Sequence, residues 1–389
     1  MKVYDADHIR NVALVGHQSS GKTMLAESML YSSGAIDRMG SIEDGSTVSD
    51  YHSSEQDRGM SIFTSLLHAQ WEKHKINILD TPGYPDFVAE VVAALRVADT
   101  AIFVINAHEG VQVGTEIGWR YAKETGIPSI FVVNQLDREG TSFHRLVDPI
   151  QERFGRAATV VQLPGGHGSR SIVDVLLMKE LVYPEGEREG EGREIPEEVS
   201  DRADRLHEEL VENIAENDET LMERYFEKGN LDEDEMREGL RSAMIERQLF
   251  PIFLTSATEH IGIGRLMSFI DNVCPSPAQM PGGKTVGGDR IGADPDGETA
   301  ALIYRVMSEE HVGEFSFFRC YSGTMEQGMD LENAQTGQSE RLGPLYAIDG
   351  KERDPLQQMV AGDIGALMKL KNSHTNDTLR AKDAEVMLE

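Results

Sequence analysis

The sequence predicts an α/β unit on a largely parallel sheet, carrying a helical/mixed insertion and followed by a small antiparallel β-barrel. Short apolar runs alternate with amphipathic segments through the first half of the chain, which is the pattern of βα units. That alternation breaks over residues 157–250. Beyond residue 297 the texture turns to β-rich runs separated by Gly and Asp, as in small barrels.

Taken in chain order, strands are expected at 11–15, 61–71, 75–80, 100–106, 129–134 and 251–256, with helices at 22–33, 85–97, 115–125, 143–154 and 264–271. Between 37 and 59 the chain is polar and aperiodic. It reads as a long mobile loop, of a length that is usually functional or disordered. The interruption opens with VVQL (160–163), passes through the charged EGEREGEGRE (185–194) and then turns helical. Leu206, Leu210 and Ile214 share one helix face; Met236, Leu240 and Met244 share another, behind a candidate N-cap at Asp232. An insertion with its own small core is expected. After PSP (275–277), the Gly-rich residues 281–297 read as a linker, and ALIYRVM, EFSFFRCYSG, GPLYAID and IGALMKL supply barrel strands. The expected domains are 1–280, with the insertion at about 157–250, and 298–389 beyond the linker.

Composition narrows the partners. The 389 residues carry 37 Lys+Arg against 67 Asp+Glu, a formal net charge of −30. A chain this acidic opposes phosphate backbones, so DNA is not expected as a partner and any nucleic-acid contact must be local and shape-selected. No run approaches the roughly 20 apolar residues that span a bilayer, so no membrane partner is expected. Cys274 and Cys320 are the only cysteines. They form neither a disulfide framework nor a metal site by spacing, which points to a reducing cytoplasm. The acidity fits either an ordinary acidic protein or one adapted to a salty cytoplasm, where screened carboxylates keep the surface hydrated.

Four motifs carry chemistry. GHQSSGKT (16–23) follows an apolar strand and opens a helix, the context of a phosphate-binding P-loop. Backbone N–H groups of Gly16, His17, Gln18, Ser19, Ser20 and Gly21 are expected to wrap the α- and β-phosphates. Lys22 is expected to reach the β/γ oxygens and the Thr23 hydroxyl to ligate Mg²⁺. DTPG (80–83) ends the next strand. Alone it is also a plain turn; after a P-loop, Asp80 reads as a Mg²⁺ holder and the Gly83 N–H as a γ-phosphate sensor. NQLD (134–137) supplies Asn134, Gln135 and Asp137. A carboxylate there accepts from guanine N1–H and the exocyclic amine, a pairing that can discriminate by about 10⁴–10⁵-fold. Ser256 and Ala257, in TSA after a strand, form a loop whose backbone suits the guanine O6. His17 reads as structural, and His108 and His311 have no ligand partners at metal spacing.

In this order the motifs resemble those of translational GTPases, elongation factor G and its paralogues above all. The resemblance runs along the whole chain, through SSEQDRGMSIFTS (53–65), GVQVGTEIGWRYAKETGIPSIFVVNQLDR (110–138), the run from PIFLTSA to PSP (251–277) and EHVGEFSFFRCYSG (310–323). It implies an α/β P-loop GTPase domain with the family's insertion subdomain and β-barrel second domain. It further implies GTP/GDP and Mg²⁺ as ligands, the ribosome as partner in translocation or a related step, and a monomer off the ribosome. Full-length members carry three more domains, so this chain is expected to be a part of a longer protein. Five positions depart from the family pattern. Tyr84 stands where a water-positioning histidine is usual, Gln135 replaces the purine-covering lysine, and Ser61 replaces the Mg²⁺-ligating threonine. Gln18 and Met60 replace the apolar pair beside the catalytic position. The implied catalytic set is Lys22, Gly83 and Tyr84. Tyrosine, with a pKa of about 10, is no base near neutrality. Phosphoryl transfer to water nevertheless needs positioning and charge stabilisation more than a strong base. Slow, ribosome-stimulated hydrolysis is therefore expected; the alternative is a ribosome-docking GTP/GDP switch with negligible hydrolysis.

If the acidity is an adaptation to salt, screening should relieve self-repulsion beyond about 10 Å at 0.1 M. The thermal unfolding midpoint should then rise with KCl, and a flat or falling midpoint removes that reading.

Overall fold

The computed structural model describes residues 2–138, 144–166, 170–309 and 313–389. Six strands of the main sheet are parallel: β1 (Ile9–Val15), β3 (His74–Asp80), β4 (Thr100–Asn106), β5 (Ser129–Asn134), β6 (Ala158–Val160) and β11 (Phe250–Leu254). With β2 (Ser65–Trp71) antiparallel on β3, the order is β2-β3-β1-β4-β5-β11-β6. Strands β1, β4, β5 and β11 are buried at every residue. Their unbroken apolar runs suit a sheet covered on both faces. The covering helices are α1 (Lys22–Ser33), α3 (Val88–Val97), α4 (Val113–Thr125), α5 (His144–Phe154) and α9 (Ile263–Asn272); α2 (Ser53–Gln56) is a single turn. Among the described residues no helix is long and apolar enough to cross a membrane.

Two local expectations change. The strand expected from residue 61 begins at Ser65, although SIFTS alternates as a strand should. Its amides are taken by carboxylates: Ile62 and Phe63 donate to Glu55 Oε1 at 2.9 and 3.0 Å, and Thr64 to Glu90 Oε2 at 2.7 Å. A ladder cannot form through N–H groups already engaged. The segment 37–59, expected as a long mobile loop, is irregular up to the single turn α2 and is anchored. The buried Glu27 accepts from Gly40 N at 2.7 Å and Val48 N at 3.0 Å.

The insertion comprises an antiparallel sheet and three helices. Strands β7 (Gln162–Pro164), β8 (Ser171–Asp174), β9 (Lys179–Val182) and β10 (Glu191–Arg193) pair in the order β10-β9-β8-β7. Helices α6 (Glu197–Ala215), α7 (Glu219–Lys228) and α8 (Glu233–Ile245) follow. The chain leaves the main sheet only after Val160, because Ala158–Val160 pairs with β11. Asp232 caps α8 in a reciprocal box with Glu235. Leu210, Ile214, Leu240 and Met244 are buried as the helix faces predict. Their core is not separate, however; it runs unbroken into that of the main sheet. Gln162 Oε1 caps Leu254 N at 2.8 Å, and the buried Asp174 meets Arg265 Nε at 2.7 Å, which ties the two together.

Residues 281–297 contain a short hairpin, β12 (Gly283–Lys284) with β13 (Arg290–Ile291), and Val286 N donates to Met387 O at 2.9 Å. The second domain is antiparallel. Its strands are β14 (Ala300–Glu309), β15 (Gly313–Ser322), β16 (Thr324–Glu326), β17 (Asp330–Asn333), β18 (Ser339–Arg341) and β19 (Leu345–Asp349). They continue with β20 (Glu352–Leu356), β21 (Gln358–Val360), β22 (Ile364–Met368) and β23 (Thr378–Arg380). Eight pair in the order β18-β17-β23-β14-β15-β22-β19-β20, and β16 pairs with β21.

A buried polar network joins barrel and sheet. Lys75 Nζ lies 2.8 and 3.0 Å from the Asp363 carboxylate, which also accepts from Asn77 Nδ2 at 2.9 Å. Asn11 Nδ2 donates to Asp99 Oδ2 at 2.7 Å, and Arg319 Nη2 lies 2.8 Å from Asp99 Oδ1. Removing one member of such a pair strands a buried charge. Lys75→Ala should therefore cost about 3–5 kcal/mol in urea unfolding; a loss below about 1 kcal/mol, the range of an exposed pair, would show that the pair contributes little.

Candidate functional site

The first two loops meet beyond the C-terminal ends of β1 and β3. Chain reversal from β1 into α1 puts Ser19 at φ 60° and Gly21 at φ 89°. The strained Ser19 is held through its carbonyl, which accepts from Gln135 Nε2 at 3.0 Å and Asn106 Nδ2 at 3.3 Å. A Cβ on Gly21 would lie 2.3 Å from Asn134 Nδ2. One on Gly83 would lie 2.5 Å from Gln18 N and 2.6 Å from Lys22 Nζ, so GHQSSGKT and DTPG touch through backbone.

Lys22 is buried, its Nζ donating to Gly16 O at 3.0 Å and His17 O at 2.9 Å. Burial lowers its pKa to about 8 against the pull of Asp80 and Asp50. Asp80 is buried, with no close hydrogen bond to either carboxylate oxygen and the Thr23 and Ser49 hydroxyls beside it. Burial, then the Asp50 charge, raises it to about 7 while Lys22 opposes. Beside it the Thr23 and Ser61 hydroxyls lie 3.2 Å apart. Asp50, buried and raised by burial, reaches this corner from the segment between α1 and β2 (residues 34–64, hereafter the first loop), with the Ser61 hydroxyl as partner. Two carboxylates, two hydroxyls and one ammonium thus converge, and the buried carboxylate oxygens of Asp80 are the kind of acceptor a hard cation satisfies. The residues fit Mg²⁺, a mixed hydroxyl–carboxylate set rather than a cluster of His, Cys or acids. No group of three or more such ligands is placed to hold a metal among the described residues.

His17 is a spacer. Its Nδ1 accepts from Gly114 N at 3.2 Å at the start of α4, and burial with Lys22 lowers its pKa, which favours the neutral ring. His108 lies in a turn, its N–H on Asn106 Oδ1 at 2.8 Å. His311 lies outside the described residues.

At the other end, Asn134 staples three loops. Its Nδ2 donates to Ser20 O at 3.2 Å and Gly21 O at 3.4 Å, while its Oδ1 accepts from Thr255 Oγ1 at 3.2 Å and Ala257 N at 3.0 Å. Asp137 Oδ1 accepts from the Ser256 hydroxyl, which fixes the carboxylate's direction. Gln135, at φ 69°, bridges Asn106 and Ser19. The Ser256 amide is engaged with Ile261 O. This loop therefore supports the two base-end side chains directly.

Lys22, Thr23, Asp50, Ser61, Gly83, Asn134, Gln135, Asp137 and Ala257 line one cleft of about 700 Å³, with Gln18, Met60 and Tyr84 around its phosphate end, while Asp80 and Ser256 act on that lining without forming part of it. Tyr84 is half-buried where it opens the turn Pro85–Phe87, and Gln18 Oε1 is buried without a partner. A second cleft of about 590 Å³ lies between α3, α4 and the barrel. Its lining Arg319 and Lys284 are already paired, with Asp99 and Glu389. The site residues inferred from sequence thus converge. Asp50, Glu55, Glu27, Glu90 and Asn106 were not inferred. A carboxylate in an aperiodic loop carries no local mark of its target; only HSSE (52–55), a box-like helix start, hinted at Glu55.

The description of the elongation factor Tu GTP-binding domain matches residues 7–276, and that of elongation factor G domain 2 matches residues 298–382. A crystal structure of a protein from Thermus thermophilus is similar, with a TM-score of 0.88 at 30% sequence identity. The match covers 98% of this chain and 56% of that one, so the chain spans little more than half of that protein's length. The order of the loops, the barrel behind them and these matches agree: the chain belongs to the translational GTPase family, of the elongation factor Tu and elongation factor G type.

Proposed function

We propose that the protein binds GTP and GDP with Mg²⁺ and hydrolyses GTP on the ribosome, as a cytoplasmic translation factor similar to elongation factor G and monomeric off the ribosome. The observation that carries this is the carboxylate of Asp80, buried opposite Lys22 and beside the Thr23 hydroxyl, which in turn lies 3.2 Å from that of Ser61. The amides of residues 16–21 hold the α- and β-phosphates, and Lys22 exchanges its two carbonyl acceptors for β/γ oxygens. Thr23, Ser61 and Asp80 would hold Mg²⁺, with Asp50 backing Ser61, and the ion would supply positive charge against that developing on the phosphates. The Gly83 N–H faces the γ-phosphate. Asp137, aimed by Ser256, reads guanine, and Asn134 keeps the loops in register. Gln135 covers the purine with a shorter, neutral stem than lysine offers.

Water positioning falls to the phosphate end, where Tyr84 and Gln18 stand. A positioned group is typically worth about 10²–10⁴-fold, so hydrolysis is slow with Tyr84 and gains less than that from Tyr84→His, because Gln18 and Met60 form a different surround. Single-turnover hydrolysis with ribosomes tests this on Tyr84→His, Tyr84→Phe and Gln18→Ala. If Tyr84→Phe equals wild type and Tyr84→His brings no gain, position 84 takes no part in the chemistry, and the docking switch with negligible hydrolysis becomes the better reading.

Guanine reading has its own check. Asp137→Asn turns a double acceptor towards the base into a group that opposes N1–H and suits xanthine. The variant should prefer XTP to GTP in competition binding; a retained preference for GTP contradicts the assignment.

A further inference from the structure

The barrel touches the first loop on both sides of the residues that face the metal corner. On the near side, the turn between β19 and β20 places Gly350 at φ 56°, its N–H on Leu66 O at 3.0 Å. A Cβ there would lie 2.1 Å from Val48 O, so barrel and loop meet backbone to backbone. On the far side stands Arg305 of β14, only 7% exposed. Its Nη1 donates to Thr64 O, its Nη2 to Met307 Sδ at 3.0 Å, and its Nε lies 3.6 Å from Glu90 Oε2. The guanidinium also lies 5.2 Å from the ring centre of Phe63 and 5.5 Å from that of Phe317. Glu90 in turn accepts the Thr64 N–H at 2.7 Å. Thr64 is thus held by α3 through its amide and by the barrel through its carbonyl. Asp50 and Ser61 are slung between Val48 and Thr64, with Ser49 O also held by the Ser65 hydroxyl at 2.6 Å.

We propose that Arg305 is a positioning residue for the metal corner: through Arg305 and the Gly350 turn, the barrel holds both stems of the first loop so that Asp50 and Ser61 reach the cleft. This rests on the reading of the cleft as a Mg²⁺–nucleotide site. The planar guanidinium serves a carbonyl, a thioether, a carboxylate and two ring faces at once, a combination that an ammonium cannot reproduce. Linkage then makes the effect reciprocal. A ligand that engages Ser61 through Mg²⁺ binds more tightly because the barrel has already ordered the loop, and its binding in turn tightens the barrel contact. A ligand held only by residues 16–23 and Asp137 gains nothing from it.

The test compares Arg305→Ala, Arg305→Lys and Gly350→Val with wild type. The probes are a non-hydrolysable GTP analogue in Mg²⁺ and GDP in EDTA. Arg305→Ala should weaken the Mg²⁺-dependent affinity about tenfold, the order of one lost hydrogen bond to a charged group, and leave GDP in EDTA within about twofold. Arg305→Lys should recover only part, and Gly350→Val should shift affinity in the same direction as Arg305→Ala. Equal losses with both probes, or no loss with either, overturn the proposal. If wild type binds no guanine nucleotide, the functional reading fails instead. Hydrogen exchange of the free protein then judges the clamp: amides 62–64 should exchange faster in Arg305→Ala while β4 is unchanged. Unaltered exchange at 62–64 overturns it, and Arg305→Lys supplies the same readout if the alanine variant does not fold.

Discussion

The metal end of the cleft depends on three carboxylates that hold the backbone of the first loop. Glu27 takes the amides of Gly40 and Val48, Glu55 those of Ile62 and Phe63, and Glu90 that of Thr64. A loop this polar cannot gain order from an apolar face. It gains order from charge-assisted hydrogen bonds to side chains that are buried, as Glu27 and Glu55 are, or half-buried, as Glu90 is. The arrangement carries a cost, visible in Glu55, which burial raises to about 7 although its amide partners draw it down. Next to Asp50, the Ser65 hydroxyl of β2 adds a further hold, donating to Ser49 O at 2.6 Å.

The two ends of the parallel sheet do different work. Beyond the C-terminal ends of the strands the loops open into the cleft, as expected where βα turns converge. Towards the other end, Asn11, Lys75, Asn77 and Asp99 form a polar suture to Asp363 and Arg319 of the barrel. The barrel is therefore fixed to the rigid sheet by that suture and reaches round to the first loop by Arg305 and Gly350. A change in that loop consequently has a direct physical route to the second domain, with no long chain of contacts required.

Electrostatics reconciles an acidic chain with an anionic ligand. The formal charge of −30 works against phosphate at long range. Inside the cleft the balance is local: a buried ammonium at Lys22, backbone N–H groups at a helix start, and two carboxylates that suit a divalent cation rather than the phosphates themselves. A divalent cation would make such a corner compatible with a triphosphate.

Much of this was legible from the sequence alone, because it rests on local pattern. The helix Lys22–Ser33 and the strands Thr100–Asn106 and Ser129–Asn134 have the bounds expected from periodicity and their flanking motifs. The GHQSSGKT, DTPG, NQLD and TSA loops converge because each follows a buried strand of one parallel sheet. What needed the tertiary structure was every feature set by a partner far along the chain. SIFTS has the alternation of a strand, but Glu55 and Glu90 remove its amides from any ladder. The helical insertion has the pattern of a separate core, but Gln162 and Asp174 join it to the sheet. Asp50 and Arg305 carry no motif at all; only folding brings one to Ser61 and the other to Thr64. Periodicity records which face of an element is buried. It does not record which distant backbone a buried charge will hold, and at this site those charges decide the geometry.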